Sequence, residues 1–133
     1  DRKDLAAAVK KLTKGVGVDV VYDSIGKDTF LTSLDCLRPR GLMVTYGNAS
    51  GPVPPMSVME LTKRGSLFLT RPSLFAYIAA RKDLEAAARE TFAALKAKRF
   101  KLQINQRYAL ADAAKAHRDL EARKTTGATV LLP

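Results

Sequence analysis

The sequence predicts an α/β fold in which helices cover a parallel β-sheet. Three short hydrophobic runs, at 18–22, 42–47 and 66–70, alternate with segments that have helical spacing. This alternation is the pattern of βαβ units, whose right-handed crossovers place the helices over the faces of the sheet. A last β-branched run, ATVLLP, follows further helical segments and closes the chain.

Each element is predicted from its hydrophobic period and its flanking glycine and proline residues. VDVVY at 18–22 has the β-branched composition of a strand that is buried on both faces. The predicted helices are 2–14, 28–38, 56–65, 81–98 and 111–123, and the predicted strands are 18–22, 42–47, 66–70 and 128–133, with an extended segment at 104–110.

Two of these helices carry side chains of particular interest. In helix 28–38, helical spacing predicts that Phe30, Leu31, Leu34 and Leu37 face inward, with Cys36 as a small buried hydrophobic residue among them. In helix 111–123, His117 shares the apolar side with alanine and leucine residues. We therefore expect His117 to be partly buried and not to act as a catalytic base.

The composition is that of a globular domain. The chain has 133 residues, of which 47% are hydrophobic and 27% charged, enough for one domain with its own core. No apolar run approaches the length of a membrane span. The single cysteine excludes an intrachain disulfide and favours a reducing compartment, so a cytoplasmic location is expected.

The formal net charge of +10 favours anionic partners through long-range attraction. The basic residues are scattered and gather at the ends of predicted helices, where cations complement the helix dipole. The sequence has no aromatic and basic platform for nucleic acid, so we interpret these residues as solvated helix ends and do not expect nucleic-acid binding.

The strand ends are the predicted ligand site. In open parallel sheets, ligands lie beyond the carboxyl ends of the strands. All three predicted strands end in small, polar or glycine residues, where a ligand could meet the backbone. The three ends are Asp23-Ser24-Ile25-Gly26, Tyr46-Gly47-Asn48 and Thr70-Arg71-Pro72-Ser73.

A complete dinucleotide-binding fold also needs a glycine-rich turn after its first strand, and the chain has none. The string GVGVDV holds only two glycines and precedes a strand. We therefore predict a partial Rossmann-like parallel sheet, the second half of a doubly wound nucleotide-binding domain, with C-terminal helices and a strand. The predicted division is a cofactor-domain half at 1–100 and, at 101–133, a C-terminal segment that would return to a catalytic domain.

Three strings carry a resemblance to a known family. They are GVDVVYDSIGKDTFLTSLDCLRPRGLMVTYGNASG, KRGSLFLTRPSL and AHRDLEARKTTGATVLLP, and together they cover most of the chain. The sequence resembles the C-terminal part of zeta-crystallin-type NADPH-dependent quinone oxidoreductases, a zinc-independent branch of the medium-chain dehydrogenase/reductase superfamily. The resemblance implies hydride transfer from NADPH to a quinone, with no metal. It also implies that the family's catalytic domain and glycine fingerprint would precede Asp1, so that this part alone would be inactive.

The resemblance further implies cofactor contacts at all three strand ends. The eight residues are Ser24, Gly26, Tyr46, Gly47, Asn48, Leu69, Thr70 and Arg71. The first two would border the adenosine side, the next three would line the path to the nicotinamide, and the last three would approach its carboxamide mainly through backbone groups. The stretch 124–127 would return near the nicotinamide end. No catalytic residue or metal ligand is implied within the chain.

Several of these residues also have a purely structural interpretation. Asp23 could touch a ribose, but a carboxylate at a strand end more often caps a turn. Tyr46 could be only a strand aromatic, and Asn48 could occupy a left-handed turn. Arg71 could meet the ligand or pair with an acid across a subunit boundary.

The last strand and the function leave alternatives open. The resemblance implies a homodimer in which 66–70, at the edge of the sheet, pairs with its twin; the alternative is a covered edge in a monomer. The alternatives to a quinone oxidoreductase are a non-catalytic dimerisation or RNA-binding module and an enoyl or alkenal reductase of the same superfamily.

Overall fold

The computed structural model describes residues 4–133, which form two compact units that meet in sequence between Tyr77 and Ile78. The elements of the first unit are α1 Leu5–Leu12, β1 Val18–Asp23, α2 Phe30–Asp35, β2 Leu37–Thr45, α3 Met59–Lys63, β3 Phe68–Thr70 and α4 Leu74–Tyr77. Those of the second unit are α5 Arg81–Lys96, β4 Ile104–Ala109, a 3₁₀ turn Leu110–Asp112, α6 Ala113–Glu121 and β5 Ala128–Leu132. Residues 2 and 3 of the predicted first helix lie outside the described residues. The predicted division at 100/101 concerns function and stays a prediction.

The first unit contains the predicted parallel sheet. Its strand order is β1-β2-β3, and both pairs are parallel. Asp23 at the end of β1 pairs with Thr45 at the end of β2, and Thr70 at the end of β3 pairs with Val44. The carboxyl ends of the three strands therefore meet at one edge, as the sequence predicted.

The core of this unit lies between the sheet and α2. Leu34 and Met43 are fully buried, and Phe30, Leu37 and Leu67 complete the cluster. Cys36 is buried beside them, as predicted, and burial together with the charge of Asp35 raises the pKa of its thiol.

The prediction for Leu31 was wrong, because its side chain is 53% exposed. Helix α2 has only six residues. Phe30 and Leu34 already occupy the side that faces the sheet, so the next position in the turn points away from it.

Strand β2 begins earlier than predicted. We expected helix 28–38 and a break at Pro39 and Gly41, whereas α2 ends at Asp35 and β2 starts at Leu37, which pairs with Val18. The register between β1 and β2 shifts after this first pair. Pro39 lies in the stretch of β2 that the shift leaves without partners in β1, where a residue without an N–H group is tolerated.

Strand β1 is not buried on both faces. Val21 packs against the core, but Tyr22 on the opposite face is 72% exposed and Val20 is also exposed. Strand β3 is shorter than the predicted 66–70, and its three residues are exposed. The short helix α4 was not predicted.

The second unit is a βαβ arrangement. Strands β4 and β5 form a parallel pair, and α6 connects them. The Tyr108 hydroxyl on β4 donates a 3.0 Å hydrogen bond to the carboxylate of Asp119 on α6. The extended segment at 104–110 and the final strand are thus confirmed, but His117 is exposed, contrary to expectation. No helix in the described part of the chain is long and apolar enough to cross a membrane.

Candidate functional site at the carboxyl edge of the sheet

Asp23 organises the turn that follows β1. Its carboxylate is 3% exposed and accepts hydrogen bonds from the backbone N–H groups of Ile25, at 2.8 Å, and Gly26, at 2.9 Å. The hydroxyls of Thr29 and Ser33, both at 2.8 Å, donate to it as well. The structure therefore supports the turn-capping interpretation.

The same hydrogen bonds set the charge state of Asp23. Burial by itself raises the pKa of this carboxyl, because it disfavours the charged form. The bonds from Gly26, Ser33, Thr29 and Ile25 together outweigh burial and lower the pKa below its usual value of 3.8. The carboxylate thus remains ionised at neutral pH while its lone pairs are occupied by protein donors.

The loops after β1 and β2 are joined through their backbones. The N–H of Ser50 donates to the carbonyl of Ile25 at 2.8 Å, and the N–H of Lys27 donates to the carbonyl of Gly51 at 3.1 Å. The Ser50 hydroxyl adds a 2.9 Å bond to the same Ile25 carbonyl. The two strand ends therefore form one connected rim.

Two predicted cofactor residues, Gly26 and Gly47, lie where these loops touch. Gly26 has a left-handed φ of +89°, and a Cβ atom added there would lie 2.7 Å from the carbonyl oxygen of Gly51. A Cβ atom on Gly47 would overlap the backbone of Ser24. Packing between the loops thus requires both glycines, whatever ligand binds there.

Arg71 connects the ends of β3 and β2. One guanidinium nitrogen donates to the Thr45 hydroxyl at 3.3 Å and to the Gly47 carbonyl at 3.2 Å, and the other terminal nitrogen donates to Oδ1 of Asn48 at 3.3 Å. Asn48 does not have the left-handed backbone that we considered for it, since its φ is not positive. Its amide instead helps to hold Arg71.

A cavity of about 330 Å³ opens beside Arg71. Its lining combines predicted site residues with residues that the sequence analysis did not single out. The lining residues are Phe30, Thr45, Asn48, Pro52, Val53, Met56, Leu69 and Arg71. The apolar residues within the loop that follows β2, NASGPVPPM, were the signal that could have indicated this wall.

The other predicted site residues lie on the rim. Ser24, Gly26, Tyr46 and Gly47 belong to the joined loops after β1 and β2, and Thr70 ends β3. The Tyr46 side chain is 52% exposed. The stretch 124–127 lies in the second compact unit. Cofactor contact by the eight residues stays a prediction.

Comparison with known proteins identifies the family to which this chain belongs. The family model described as "Zinc-binding dehydrogenase" matches residues 1–131. A quinone oxidoreductase of Pseudomonas aeruginosa is 51% identical over 131 residues, which are 98% of this chain and 40% of that protein. A 2-haloacrylate reductase of a Burkholderia species is 48% identical over 98% of this chain and 40% of its own length.

Solved structures show the same relation. The quinone oxidoreductase of Pseudomonas syringae superposes with a TM-score of 0.92 at 46% identity, over 98% of this chain and 40% of that one. The Escherichia coli quinone oxidoreductase complexed with NADPH gives a TM-score of 0.91 at 45% identity, over the same shares. These likenesses confirm the Rossmann-like α/β fold, and this chain spans about 40% of the length of the curated relatives it matches.

The described residues do not provide a set of ligands for a zinc ion, although the family description mentions zinc. Within residues 4–133, no group of three or more His, Cys, Asp or Glu side chains lies close enough together to hold a metal. The one cysteine is buried beside α2, and the one histidine is exposed on α6. No chemical step is therefore assigned to zinc.

Proposed function

The chain belongs to the zinc-binding dehydrogenase family, and from this we propose that it forms the cofactor-binding part of an NADPH-dependent quinone oxidoreductase. The observation that carries the proposal is the carboxyl edge of the sheet, where three parallel strand ends meet, the first two joined in a connected rim and the third linked to it by Arg71. Ligands of open parallel sheets lie at this position. Relatives named quinone oxidoreductases, one of them solved with NADPH, support the choice of cofactor and substrate.

NADPH would lie along the eight residues proposed from the sequence. Bound there, it would supply a hydride to the quinone. The protein's own contribution is a rigid rim: Asp23 fixes the turn at Ser24–Gly26, and Arg71 fixes the loop at Gly47 and Asn48. Exposed backbone groups and the Tyr46 side chain remain available for contact with a ligand. Such preorganisation contributes to rate by orienting the reactants and excluding water.

Binding of NADPH is the first test. The 133-residue chain and the intact natural protein are each titrated with NADPH, with NADH as the control, while nicotinamide fluorescence is followed. We expect saturable binding that favours NADPH, and weaker binding in Tyr46→Ala. Tyr22→Ala, which alters an exposed tyrosine on the face of the sheet, is the matched control. Failure of the intact protein to bind NADPH and to reduce any quinone with it would contradict the proposal.

A second candidate is the reduction of an unsaturated acid. A relative that is 48% identical is named a 2-haloacrylate reductase, and Arg71 places a cation beside the cavity. NADPH oxidation by the intact protein with 2-chloroacrylate, compared with a quinone at equal concentration, distinguishes the two. A higher kcat/KM for the quinone is the result that the first proposal requires.

We further propose that the protein is a homodimer through Ser66–Thr70. Strand β3 pairs with β2 alone among the described strands, so its other edge carries unpaired backbone groups. Phe68 in this strand is 62% exposed. Pairing with a second copy would continue the sheet across a two-fold axis. A cytoplasmic location is proposed from the single buried thiol of Cys36.

A further inference from the structure

We propose that the cavity beside Arg71 is the acceptor subsite, and that it binds a flat apolar ring carrying a negatively charged oxygen. This inference rests on the proposed function, since it names which part of the edge takes the acceptor and which chemical class is favoured. It assigns ligand contact to Phe30, Val53 and Met56, which belong to none of the proposed cofactor positions.

The walls of the cavity suit a ring. Phe30, Val53, Met56 and Leu69 provide apolar surface, and Pro52 adds a rigid side. The volume of about 330 Å³ lies at the lower end of the range for small-molecule pockets. A ring that enters would displace water from these side chains, and burial of apolar surface favours its binding.

The charge of the cavity comes from Arg71, the one charged residue among the described residues that line it. Its hydrogen-bond partners among the described residues are a hydroxyl, a backbone carbonyl and an amide oxygen, all of them neutral. Among the described residues, no carboxylate forms an ion pair with it. A guanidinium has five N–H donors, and these three bonds leave two of them for a ligand. An oxygen that carries negative charge is the strongest acceptor for such donors.

Quinone reduction creates an oxygen of this kind. Hydride transfer from the dihydronicotinamide adds one proton and two electrons to the quinone, which would become the hydroquinone monoanion while NADPH is oxidised to NADP⁺. Water then donates the second proton to the oxygen and completes the hydroquinone. A guanidinium that is already held in place stabilises the anion more than the neutral quinone, which lowers the barrier to its formation.

The test compares an anionic ring with a neutral ring of similar size in the intact natural protein. The probes are 2-hydroxy-1,4-naphthoquinone, which is ionised at neutral pH, and its neutral 2-methoxy analogue, and calorimetry measures the Kd of each. The wild type is expected to bind the anion more tightly. Arg71→Met is expected to weaken binding of the anion by about 10-fold to 100-fold, the range for a hydrogen bond to a charged group. Binding of the neutral analogue should change much less.

Three further variants keep the test decisive. Arg71→Lys retains the charge and should recover part of the preference for the anion. Arg81→Met removes an arginine that pairs with Glu85 on the exposed surface of α5, and should change neither Kd. Val53→Trp fills the cavity without removing the charge, and should weaken both probes alike.

The outcomes separate this inference from the proposed function. The acceptor subsite is overturned if Arg71→Met changes the Kd of the anion no more than Arg81→Met does. It is also overturned if Val53→Trp, in a protein of unchanged Tm, leaves both Kd values unchanged. The NADPH titration and quinone turnover are measured on the same wild-type sample. If the protein neither binds NADPH nor reduces a quinone but still prefers the anionic probe, the proposed oxidoreductase function is contradicted. The cavity would then be an anion-binding site only.

Discussion

A Cβ atom on Gly47 would overlap the carbonyl oxygen of Ser24 and would lie 2.7 Å from its carbonyl carbon. The ends of β1 and β2 thus touch through bare backbone, with no room for a side chain between them. Contact at this distance fixes the position of the loop after β2 relative to the turn that Asp23 caps. The shape of the proposed site therefore depends on a steric relation and not only on the residues that would meet a ligand.

Gly47→Ala should lower stability for this steric reason alone, because Gly47 does not have a left-handed φ. The neighbouring atoms belong to backbone and cannot move aside without separating the loops. We expect a loss of about 1–3 kcal/mol in the free energy of unfolding, as for other overpacked sites, measured by urea denaturation.

Gly15→Ala is the matched control. Its φ is +87°, but a Cβ atom there would meet nothing within 4 Å. Only the left-handed backbone opposes the substitution, at a cost of about 1 kcal/mol. NADPH binding should weaken in Gly47→Ala and stay unchanged in Gly15→Ala. Equal effects of the two substitutions on both readouts would refute the steric account.

The alignment of the three strand ends could be predicted from sequence because it follows from local patterns. Hydrophobic runs at strand length, separated by helical segments, specify parallel strands, and parallel strands end at one edge. The contacts of Arg71 could not be predicted, since they join residues more than 20 positions apart through side-chain geometry. The cavity wall at Val53 and Met56 was missed for the same reason, because it depends on how an irregular loop folds back.

Exposure was the least predictable property. The sequence pattern of β1 is that of a strand buried on both faces, yet Tyr22 and Val20 are exposed. Hydrophobicity records what a residue prefers to contact and does not identify the surface that would cover it. The same limit explains Leu31, where a helix of six residues has too little length to bury a wide apolar side.

Asp23→Asn should destabilise the fold strongly. The carboxylate accepts four donors within 3.0 Å in a buried setting, and an amide nitrogen in place of one oxygen would face a donor instead of accepting from it. We expect a loss of about 2–4 kcal/mol, from lost bonds and a buried group left without a partner. Asp19→Asn, which removes a carboxylate paired with Arg38 on the exposed side of the same strand, should cost far less. Comparable losses in the two variants would show that the buried bonds contribute little.

The lowered pKa of Asp23 also predicts that the folded state loses stability at acid pH. Its pKa is lowered in the folded state, so the unfolded chain binds the proton more readily. The contribution of the carboxylate is therefore complete above the unfolded value near 3.8 and is lost as pH falls through the lower folded value. Urea denaturation of the wild type and Asp23→Asn between pH 7 and pH 2.5 should show a stability difference that narrows only below about pH 4. A difference that narrows between pH 7 and pH 5 would assign the effect to another group.

In the second compact unit, the raised pKa of Tyr108 predicts a loss of stability at alkaline pH. The hydrogen bond to Asp119 is the main cause that raises the pKa of the Tyr108 hydroxyl, with burial and the charge of Asp119 adding to it. The folded state holds the proton more tightly, so the contribution of the bond is present below the unfolded value of 10.0 and is lost as pH rises through the folded value. Tyr108→Phe should lower Tm at pH 7 and approach the wild-type Tm above pH 10. Tyr77→Phe, which removes an exposed hydroxyl from α4, is the control and should leave Tm unchanged at both pH values.

The proposed dimer forms through the exposed edge of β3. A lysine in an exposed edge strand opposes pairing with another strand, because two copies would bring like charges together at the two-fold axis. Phe68→Lys should therefore convert the intact natural protein from a dimer to a monomer, as measured by light scattering after size-exclusion chromatography. Phe92→Lys places the same charge on an exposed phenylalanine of α5, in the second compact unit, and should leave the dimer intact. Because β3 also leads into Arg71, NADPH affinity is measured on both variants. A dimer that survives Phe68→Lys, with unchanged Tm, would show that the subunits associate through another surface.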